Sequence, residues 1–450
     1  MTAAIVAHVA FSDDVRRREP DARLAEAVGL VEAIELRVVH SQIIQIAAPK
    51  PSTLIGSGKV DDLKAQLDAS DSRPGIVIID ASLSPVQHRN LEKALNAKVL
   101  DRTGLILEIF GARARTAEGR LQVDLAHLTY QKSRLVRSWT HLERQRGGRG
   151  FLGGPGERQI ESDRRAIDNK IDRLKARLED VRRTRALQRA KRQRAPHPVV
   201  ALVGYTNAGK STLFNLLTKS AVIARDQLFA TLDPTMRAVD LPSGQRIILS
   251  DTVGFVSDLP TQLIAAFRAT LEEVVEADLV LHVRDAAQAD TEAQREDVMS
   301  VLRELGAEDD GDTPFIEVLN KIDLLAGEAR RQCEAAERDE DETPLTLDNP
   351  ARVCVSAVTG EGAQTLLELI DRIVTKDRLE VAFVLDASDG QARAWLHEHC
   401  DVVSETASDD ALKLNVRLSE KVLGQAKKYW PQARIEEAPP RQRESGRSVI

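Results

Sequence analysis

The amino-acid sequence predicts an α/β protein of several domains, and three observations support this class. Residues 3–110 alternate short apolar runs with amphipathic stretches, which is typical of a largely parallel sheet whose strands are joined by helices. An apolar run at 199–203 leads through a glycine loop into a helical pattern. Two later apolar runs, at 247–250 and 314–319, end in short polar motifs, as strands of a doubly wound sheet do. The 450 residues suffice for about two to four domains.

Composition excludes several classes of protein. Hydrophobic residues make up 42% and charged residues 30% of the chain, which is typical of a globular protein and not of a disordered or fibrous one. No stretch approaches about 18 uncharged apolar residues, so we expect no membrane insertion. The N-terminus lacks a basic segment, so we expect no secretory signal. Cys333, Cys354 and Cys400 fit neither a disulfide scaffold nor a zinc site and suit the reducing cytoplasm, where we expect the protein.

The charge of the chain is unevenly distributed. The net charge is −7, but residues 130–195 contain 20 Lys or Arg against 8 Asp or Glu. A basic segment inside an acidic protein is suited to binding a polyanion. A long helix with a solvated charged face would have the same composition, and from the charges alone both interpretations stay open.

The first 110 residues predict strands at 5–9, 36–41, 75–80 and 97–101, with helices at 21–34, 59–67 and 84–96. The segment 54–60 (LIGSGKV) resembles a phosphate loop. It has Val60 where that pattern needs Ser or Thr, so we expect a turn that opens a helix.

Two charged helices are predicted next, at about 120–145 and 160–194, as an antiparallel hairpin. Between them, residues 147–158 have the composition of a flexible loop, with six glycines and one proline. After residue 378 the order of elements is strand, helix, strand, strand, helix. The predicted domains are therefore 1–120 (small α/β), 121–195 (basic helical hairpin with a glycine-rich tip), 196–376 (nucleotide-binding), 377–435 (small α+β) and 436–450 (flexible tail).

A phosphate-binding loop is the sharpest motif in the chain. The spacing Gly204-x4-Gly209-Lys210-Ser211 follows a strand and opens a helix, so backbone N–H groups and the helix dipole can hold phosphate oxygens. Lys210 should reach the β- and γ-phosphates, and the Ser211 hydroxyl should ligate Mg²⁺.

Three further motifs at strand ends select the nucleotide. Asp251-Thr252-Val253-Gly254 offers a carboxylate for water-mediated Mg²⁺ binding and a glycine N–H for a γ-phosphate. Asn320-Lys321-Ile322-Asp323 supplies a carboxylate that can accept N1–H and the exocyclic amine of guanine, which adenine lacks. Ser356-Ala357-Val358 can offer its backbone to the guanine O6. Together the motifs predict that GTP and GDP are the ligands.

A switch threonine is expected between the first two motifs, because a hydroxyl that joins Mg²⁺ only beside a γ-phosphate can order a loop. Thr231 and Thr235 are equal candidates from the residues alone.

The complete set of motifs resembles the HflX family of translational GTPases. The resemblance rests on GYTNAGKST, FATLDPT, DTVGF, NKID and SA, placed after a basic helical segment that carries GGPGE, and it covers about residues 1–375. It implies an HflX-type N-terminal domain at 1–120 and a Ras-like GTPase domain with a doubly wound, mostly parallel sheet. It also implies that Thr231 is the Mg²⁺ ligand. The nucleotide site then extends to the segment Phe229, Ala230, Thr231, Leu232 and Asp233.

The same resemblance implies that the large (50S) ribosomal subunit and its ribosomal RNA are partners, and that the protein splits or rescues stalled ribosomes. A GTPase of large-subunit assembly is the alternative. Ribosome binding favours RNA contact by the basic hairpin, with Arg146, Arg149 and Arg158 at its tip and Trp139, His141 and Phe151 as stacking candidates or core residues. We expect a monomer, although no residue pattern determines the oligomeric state.

The residue expected to position the attacking water is absent. Many GTPases have glutamine directly after the DxxG motif, and this chain has Phe255, so the catalytic group is unknown and intrinsic hydrolysis should be slow. Asn207 has two open interpretations, which are K⁺ recruitment beside the phosphates and a hydrogen bond within the loop. A small-molecule or nucleoside kinase has weaker support, since NKID and SA select guanine. An ATPase or RNA-remodelling activity within residues 1–190 is motivated only by the basic surface and the incomplete LIGSGKV match.

Overall fold

The computed structural model describes residues 2–11, 19–70, 73–114, 116–145, 155–192, 197–219, 235–257, 274–306, 313–335, 345–347, 349–376, 378–408 and 411–437. Within these ranges it contains three sheets and a long helical hairpin. No helix in the described part of the chain combines the length and the apolar character needed to cross a bilayer.

The N-terminal sheet is parallel, with the order β2-β1-β3-β4. Its elements are β1 (Ala3–Phe11), α1 (Pro20–Glu32), β2 (Arg37–Ile46), α2 (Ser57–Ala69), β3 (Ile76–Asp80), α3 (Pro85–Leu95), β4 (Lys98–Asp101) and α4 (Arg102–Arg113). The predicted strands and helices are confirmed, including the turn at 54–56 that opens α2. The sequence analysis named no helix at α4, most of which is buried, so its apolar residues show no amphipathic period.

The hairpin consists of α5 (Ala117–Gln145) and α6 (Pro155–Arg192). The helices run antiparallel, as predicted, because Lys132 of α5 pairs with Asp168 of α6 while Asp124 lies near Arg177. The predicted loop at 147–158 was wrong for its last four residues, since α6 begins at Pro155. Proline is favoured in the first turn of a helix because its missing N–H would have no helical partner there.

The second sheet has the order β10-β9-β8-β5-β7-β6 and is parallel except for β6, which runs antiparallel to β7. The elements are β5 (Val199–Val203), α7 (Lys210–Thr218), β6 (Thr235–Asp240), β7 (Arg246–Asp251), β8 (Leu279–Asp285), α8 (Thr291–Glu304), β9 (Phe315–Asn320), a 3-10 turn (Ile322–Leu324), α9 (Gly327–Ala335), β10 (Ala351–Val355) and α10 (Ala363–Thr375). The predicted doubly wound Ras-like domain is confirmed.

The C-terminal sheet is antiparallel, with the order β12-β13-β11-β14. It contains β11 (Arg378–Asp386), α11 (Gly390–His399), β12 (Asp401–Ala407), β13 (Ala411–Ser419), α12 (Glu420–Tyr429) and β14 (Arg434–Glu437). The predicted order is confirmed and gains β14. Arg417 of β13 is buried and donates to the backbone carbonyl of Ser243, at the tip of the β6–β7 hairpin, over 2.6 Å. The C-terminal domain thus contacts the second sheet directly.

The apolar core is continuous between the first two sheets. One buried cluster includes Phe110 of α4 together with Tyr205, Val253 and Phe255, which follow β5 and β7. The N-terminal domain therefore packs against the segments that bear the phosphate and DxxG motifs.

Candidate nucleotide-binding site

The phosphate loop depends on two glycines with left-handed backbones. Gly204 has φ +146° and Gly209 has φ +91°. A Cβ atom at Gly204 would lie 2.1 Å from the carbonyl oxygen of Val283, and one at Gly209 would lie 2.2 Å from Nδ2 of Asn320. No other residue fits either position, so the loop geometry follows from the sequence spacing.

Lys210 is already held over the loop. Its buried ammonium donates to the carbonyl oxygens of Gly204 and Tyr205 over 3.0 and 2.7 Å. These bonds use two of its three donors and leave one that can be directed at a phosphate. Burial lowers the pKa of Lys210 to about 8, against the opposing attraction of Asp251.

Ser211 and Asp251 form the hard-oxygen pair that Mg²⁺ prefers. The Ser211 hydroxyl donates to Oδ2 of Asp251 over 2.7 Å, and Asp251 is fully buried at the end of β7. Hydroxyl and carboxylate oxygens beside a phosphate site fit a magnesium ion. The neighbouring Thr252 hydroxyl donates to the Leu202 carbonyl over 2.6 Å, which ties β7 to β5.

Gly254 of the DxxG motif lies against the phosphate loop, close to Thr206 and Lys210. Oγ1 of Thr206 is buried without a hydrogen-bond partner among the described residues. A Cβ atom at Gly254 would lie 3.0 Å from Nζ of Lys210 and 2.9 Å from Cγ2 of Thr206, so the DxxG glycine allows a close approach there. A phosphate oxygen would supply the acceptor that the buried Thr206 hydroxyl needs.

One asparagine connects the phosphate loop to the guanine loops. Nδ2 of Asn320 donates to the Ala208 carbonyl over 2.8 Å, and Oδ1 accepts from the Ala357 N–H over 3.0 Å. Asn320 is almost fully buried, so both bonds are shielded from water. Its side chain therefore fixes the separation between the phosphate and base ends of the site.

The base end is formed by Asp323 and the loop after β10. Ser356 donates to Oδ1 of Asp323 over 2.6 Å, which orients the exposed carboxylate. Lys321, at φ +66°, pairs with Asp285 over 2.8 Å. Ile322 packs inward, whereas Val358 is 77% exposed at the rim. The NKID and SA motifs are therefore in direct contact through Ser356 and Asp323.

Of the two candidate switch threonines, the structure describes only Thr235. Phe229, Ala230, Thr231, Leu232 and Asp233 lie outside the described residues. Thr235 begins β6 and is paired with Asp251 of β7. A residue held in a strand is poorly suited to being ordered by a γ-phosphate, so its placement weighs against Thr235, and Thr231 stays a prediction.

Comparisons with known proteins match nearly the whole chain. Four family models match it: GTP-binding GTPase N-terminal at 21–111, GTP-binding GTPase Middle Region at 113–192, 50S ribosome-binding GTPase at 199–321 and HflX C-terminal domain at 346–429. The GTPase HflX of Magnetococcus marinus is 52% identical over 401 residues, or 89% of both chains. The chain belongs to the HflX family of GTPases.

The similarity to HflX GTPases extends over more of the chain than the motifs indicated. The GTPase HflX of Escherichia coli K12 is 41% identical over 416 residues, covering 92% of this chain and 93% of its own. The match at 346–429 also extends the family likeness past residue 375, where the sequence analysis had ended it. Among solved structures, a protein named SsGBP in complex with GDP has a TM-score of 0.49 and 24% identity, covering 84% of this chain and 99% of that chain. As an HflX GTPase, the chain binds and hydrolyses GTP.

In this HflX chain, Phe255 is buried directly after the DxxG motif. Its backbone N–H donates to the Gly204 carbonyl over 3.0 Å, and its own carbonyl accepts from the Thr206 N–H over 2.7 Å. The ring is 3% exposed, within the core shared with the N-terminal domain. The DxxG segment is thus joined to the phosphate loop, and its aromatic residue cannot orient a water molecule.

A buried polar network at this HflX domain interface was missed by the sequence analysis. Arg102 donates to Asp80 over 2.6 Å and to both oxygens of Ser257, at 2.6 Å for Oγ and 3.1 Å for the carbonyl. Glu26 accepts from the Tyr205 hydroxyl over 2.6 Å and from the Ser257 hydroxyl over 2.8 Å. These partners lie up to 231 residues apart, so no local spacing could have indicated them.

Proposed function

We propose that this HflX-family GTPase binds the large (50S) ribosomal subunit, that docking stimulates its GTP hydrolysis, and that it splits or rescues stalled ribosomes. The burial of Phe255, which leaves no water-orienting side chain directly after the DxxG motif, is the observation that carries the proposal. A switch that lacks its own catalytic group hydrolyses GTP slowly until a partner orders or completes the site.

Nucleotide binding is assigned to the motif residues described above. Lys210 would contact the β- and γ-phosphates, and Asp323 would accept two hydrogen bonds from guanine. Ser211, with Thr231, would ligate Mg²⁺, and Asp251 would contact it through water. The ion would neutralise phosphate charge, while the residues themselves bind and orient the nucleotide.

Ribosomal RNA is the polyanion that the hairpin would meet. The inward stripe of α6 includes the buried Ile171 and Leu178, and basic residues cover its outer faces. The exposed basic residues of α6 include Arg164, Arg165, Lys170, Arg173, Lys175, Arg177 and Arg183. The family match to a 50S ribosome-binding GTPase at 199–321 supports this partner.

Potassium is proposed as an additional ligand beside the phosphates. Asn207 has φ +60° and lines a cavity of about 440 Å³ next to the phosphate loop. The lining of the cavity contains four acidic residues and one basic residue, Arg23, so its net charge favours a cation. In the described part of the chain, the Asn207 side chain has no hydrogen-bond partner, which weighs against a purely structural role.

The deciding experiment is GTP hydrolysis with and without purified 50S subunits, in K⁺ buffer and in Na⁺ buffer. We expect saturating 50S subunits to raise kcat by at least about tenfold, since completing a GTPase site from outside contributes orders of magnitude. An unchanged rate, with tight GTP binding intact, would overturn the proposed trigger. Equal rates in K⁺ and Na⁺ would remove the potassium ligand.

The contact surface can be mapped with charge-reversal variants. Arg146→Glu, Arg149→Glu and Arg158→Glu together should weaken co-sedimentation with 50S subunits and leave GDP affinity unchanged. A matched triple variant away from the hairpin, Arg331→Glu, Lys427→Glu and Lys428→Glu, should retain binding. Incubation with whole ribosomes and GTP then separates the two roles, because a splitting factor yields subunits and an assembly factor leaves ribosomes intact.

A further inference from the structure

Two buried cysteines lie in contact beneath the guanine loops. Cys333 is on α9 and Cys354 is on β10, and their Sγ atoms are 2.9 Å apart. The Cys354 thiol also donates to the backbone carbonyl of Cys333 over 3.1 Å. Sulfur atoms this close need to move by only about an ångström to reach the S–S bond length of a disulfide.

The pair lies at the junction of the two chain segments that hold the base. Cys354 is separated from Ser356 by one residue, and a Cβ atom at Gly362 would lie 2.0 Å from the Cys354 carbonyl oxygen. The helix of Cys333 begins shortly after the 3-10 turn that contains Asp323. Leu319 and Ile322 belong to the same small apolar cluster as the two cysteine side chains.

We propose that Cys333 and Cys354 are a redox modification site: a peroxide converts them to a disulfide that joins the Asp323 and Ser356 segments and slows release of the guanine nucleotide. This inference rests on guanine nucleotide binding at these loops. Disulfides in reducing compartments are usually transient and regulatory, which fits a bond that forms only under oxidation.

The chemistry balances with hydrogen peroxide as the oxidant. One thiol loses its proton, its thiolate attacks a peroxide oxygen to give a sulfenic acid, and the departing hydroxide takes up that proton and leaves as water. The second thiol attacks that sulfur and displaces a second water molecule, so two thiols lose two protons and two electrons in all.

The Cys333–Cys354 disulfide should slow the release of the guanine nucleotide. A nucleotide leaves when the base loops separate locally, and a covalent link between their supporting elements opposes that separation. The Ser356–Asp323 hydrogen bond of 2.6 Å would then be supported by a covalent bond on the protein side of the same loops.

The test treats the full chain with hydrogen peroxide, then measures thiols, intact mass and dissociation of a fluorescent GDP analogue. We expect the loss of two of the three thiols and of two hydrogen atoms, and release slowed by at least about threefold. A thiol reductant should restore the original rate. A chain that retains all three thiols overturns the modification site, whether or not GDP binds. A disulfide that leaves GDP release unchanged or faster overturns its effect on the nucleotide.

Single-cysteine variants provide the controls. Cys333→Ser and Cys354→Ser should each abolish the mass change and the slowing. Cys400→Ser should retain both, because Cys400 lies in the C-terminal domain and burial raises the pKa of its thiol to about 12. Loss of the response in Cys400→Ser would contradict the assignment.

Discussion

Lys210 of the phosphate-loop motif has an unusual environment for a lysine side chain. Its ammonium is removed from water and held by two carbonyl oxygens, and burial lowers its pKa towards neutrality. The charged form still predominates at pH 7, because the pKa of about 8 lies above that value. A bound phosphate would favour the charged form further, so binding and protonation of Lys210 are coupled.

Guanine nucleotide affinity should therefore depend on pH in a defined direction. Above about pH 8 the unbound protein loses the Lys210 proton and must regain it on binding, so Kd for GDP should rise by up to about tenfold per pH unit. Titrations with a fluorescent GDP analogue between about pH 7 and pH 9 measure this slope. Lys210→Met should bind weakly without the slope, and a flat profile in the unmodified protein would contradict the coupling.

The β6–β7 hairpin depends on long-range contacts that a pattern of apolar residues does not indicate. Sequence analysis found β7 through the motif at its end, but it named neither β6 nor β8, which carry no motif that binds the nucleotide. The hairpin tip is held by hydrogen bonds to a side chain of another element. Asp371 of α10 accepts from the Ser243 N–H over 2.6 Å and from the Ser243 hydroxyl over 2.5 Å. These bonds depend on elements over 100 residues apart, which is why spacing could not predict them.

Asp371→Ala and Ser243→Ala should each destabilise the protein by about 1–3 kcal/mol, because each leaves a hydrogen-bonding group of the tip without its partner. The double variant should cost less than the sum of the two, with a coupling of about 0.5–3 kcal/mol. Urea unfolding of the four proteins measures the cycle. Strict additivity would show that the Asp371 bonds do not hold the hairpin.

At the scale of the whole molecule, the domains are joined by a buried ion network. Burial alone would raise the pKa of the Asp80 carboxyl, but Arg102 and then His8 outweigh it and hold that pKa well below its usual range. A carboxylate with a lowered pKa stabilises the fold fully above its unfolded pKa, and this contribution declines as pH falls from there through the folded value. Mild acid therefore leaves the Asp80 contribution to this interface intact.

Arg102→Met should lower the free energy of unfolding by about 3–5 kcal/mol, because it leaves the buried Asp80 charge without its main partner. Arg113→Met is the matched control. Arg113 is only half-buried and donates to the Ala33 carbonyl over 3.1 Å, so its loss should cost far less. Urea unfolding midpoints measure the difference, and equal costs would show that the network does not hold the domains together.

The shared core at the first domain boundary affects how truncation can be used. Tyr205, Val253 and Phe255 of the GTPase domain are buried against Phe110 and its neighbours. Removing residues 1–195 would expose these side chains to water and create an aggregation-prone apolar surface beside the phosphate loop. A shortened chain would then self-associate or distort its own loop, and any change in its turnover would mix those effects with the loss of the missing domain. Single substitutions at the boundary avoid these effects, so they are better suited than truncation to testing the role of the N-terminal domain.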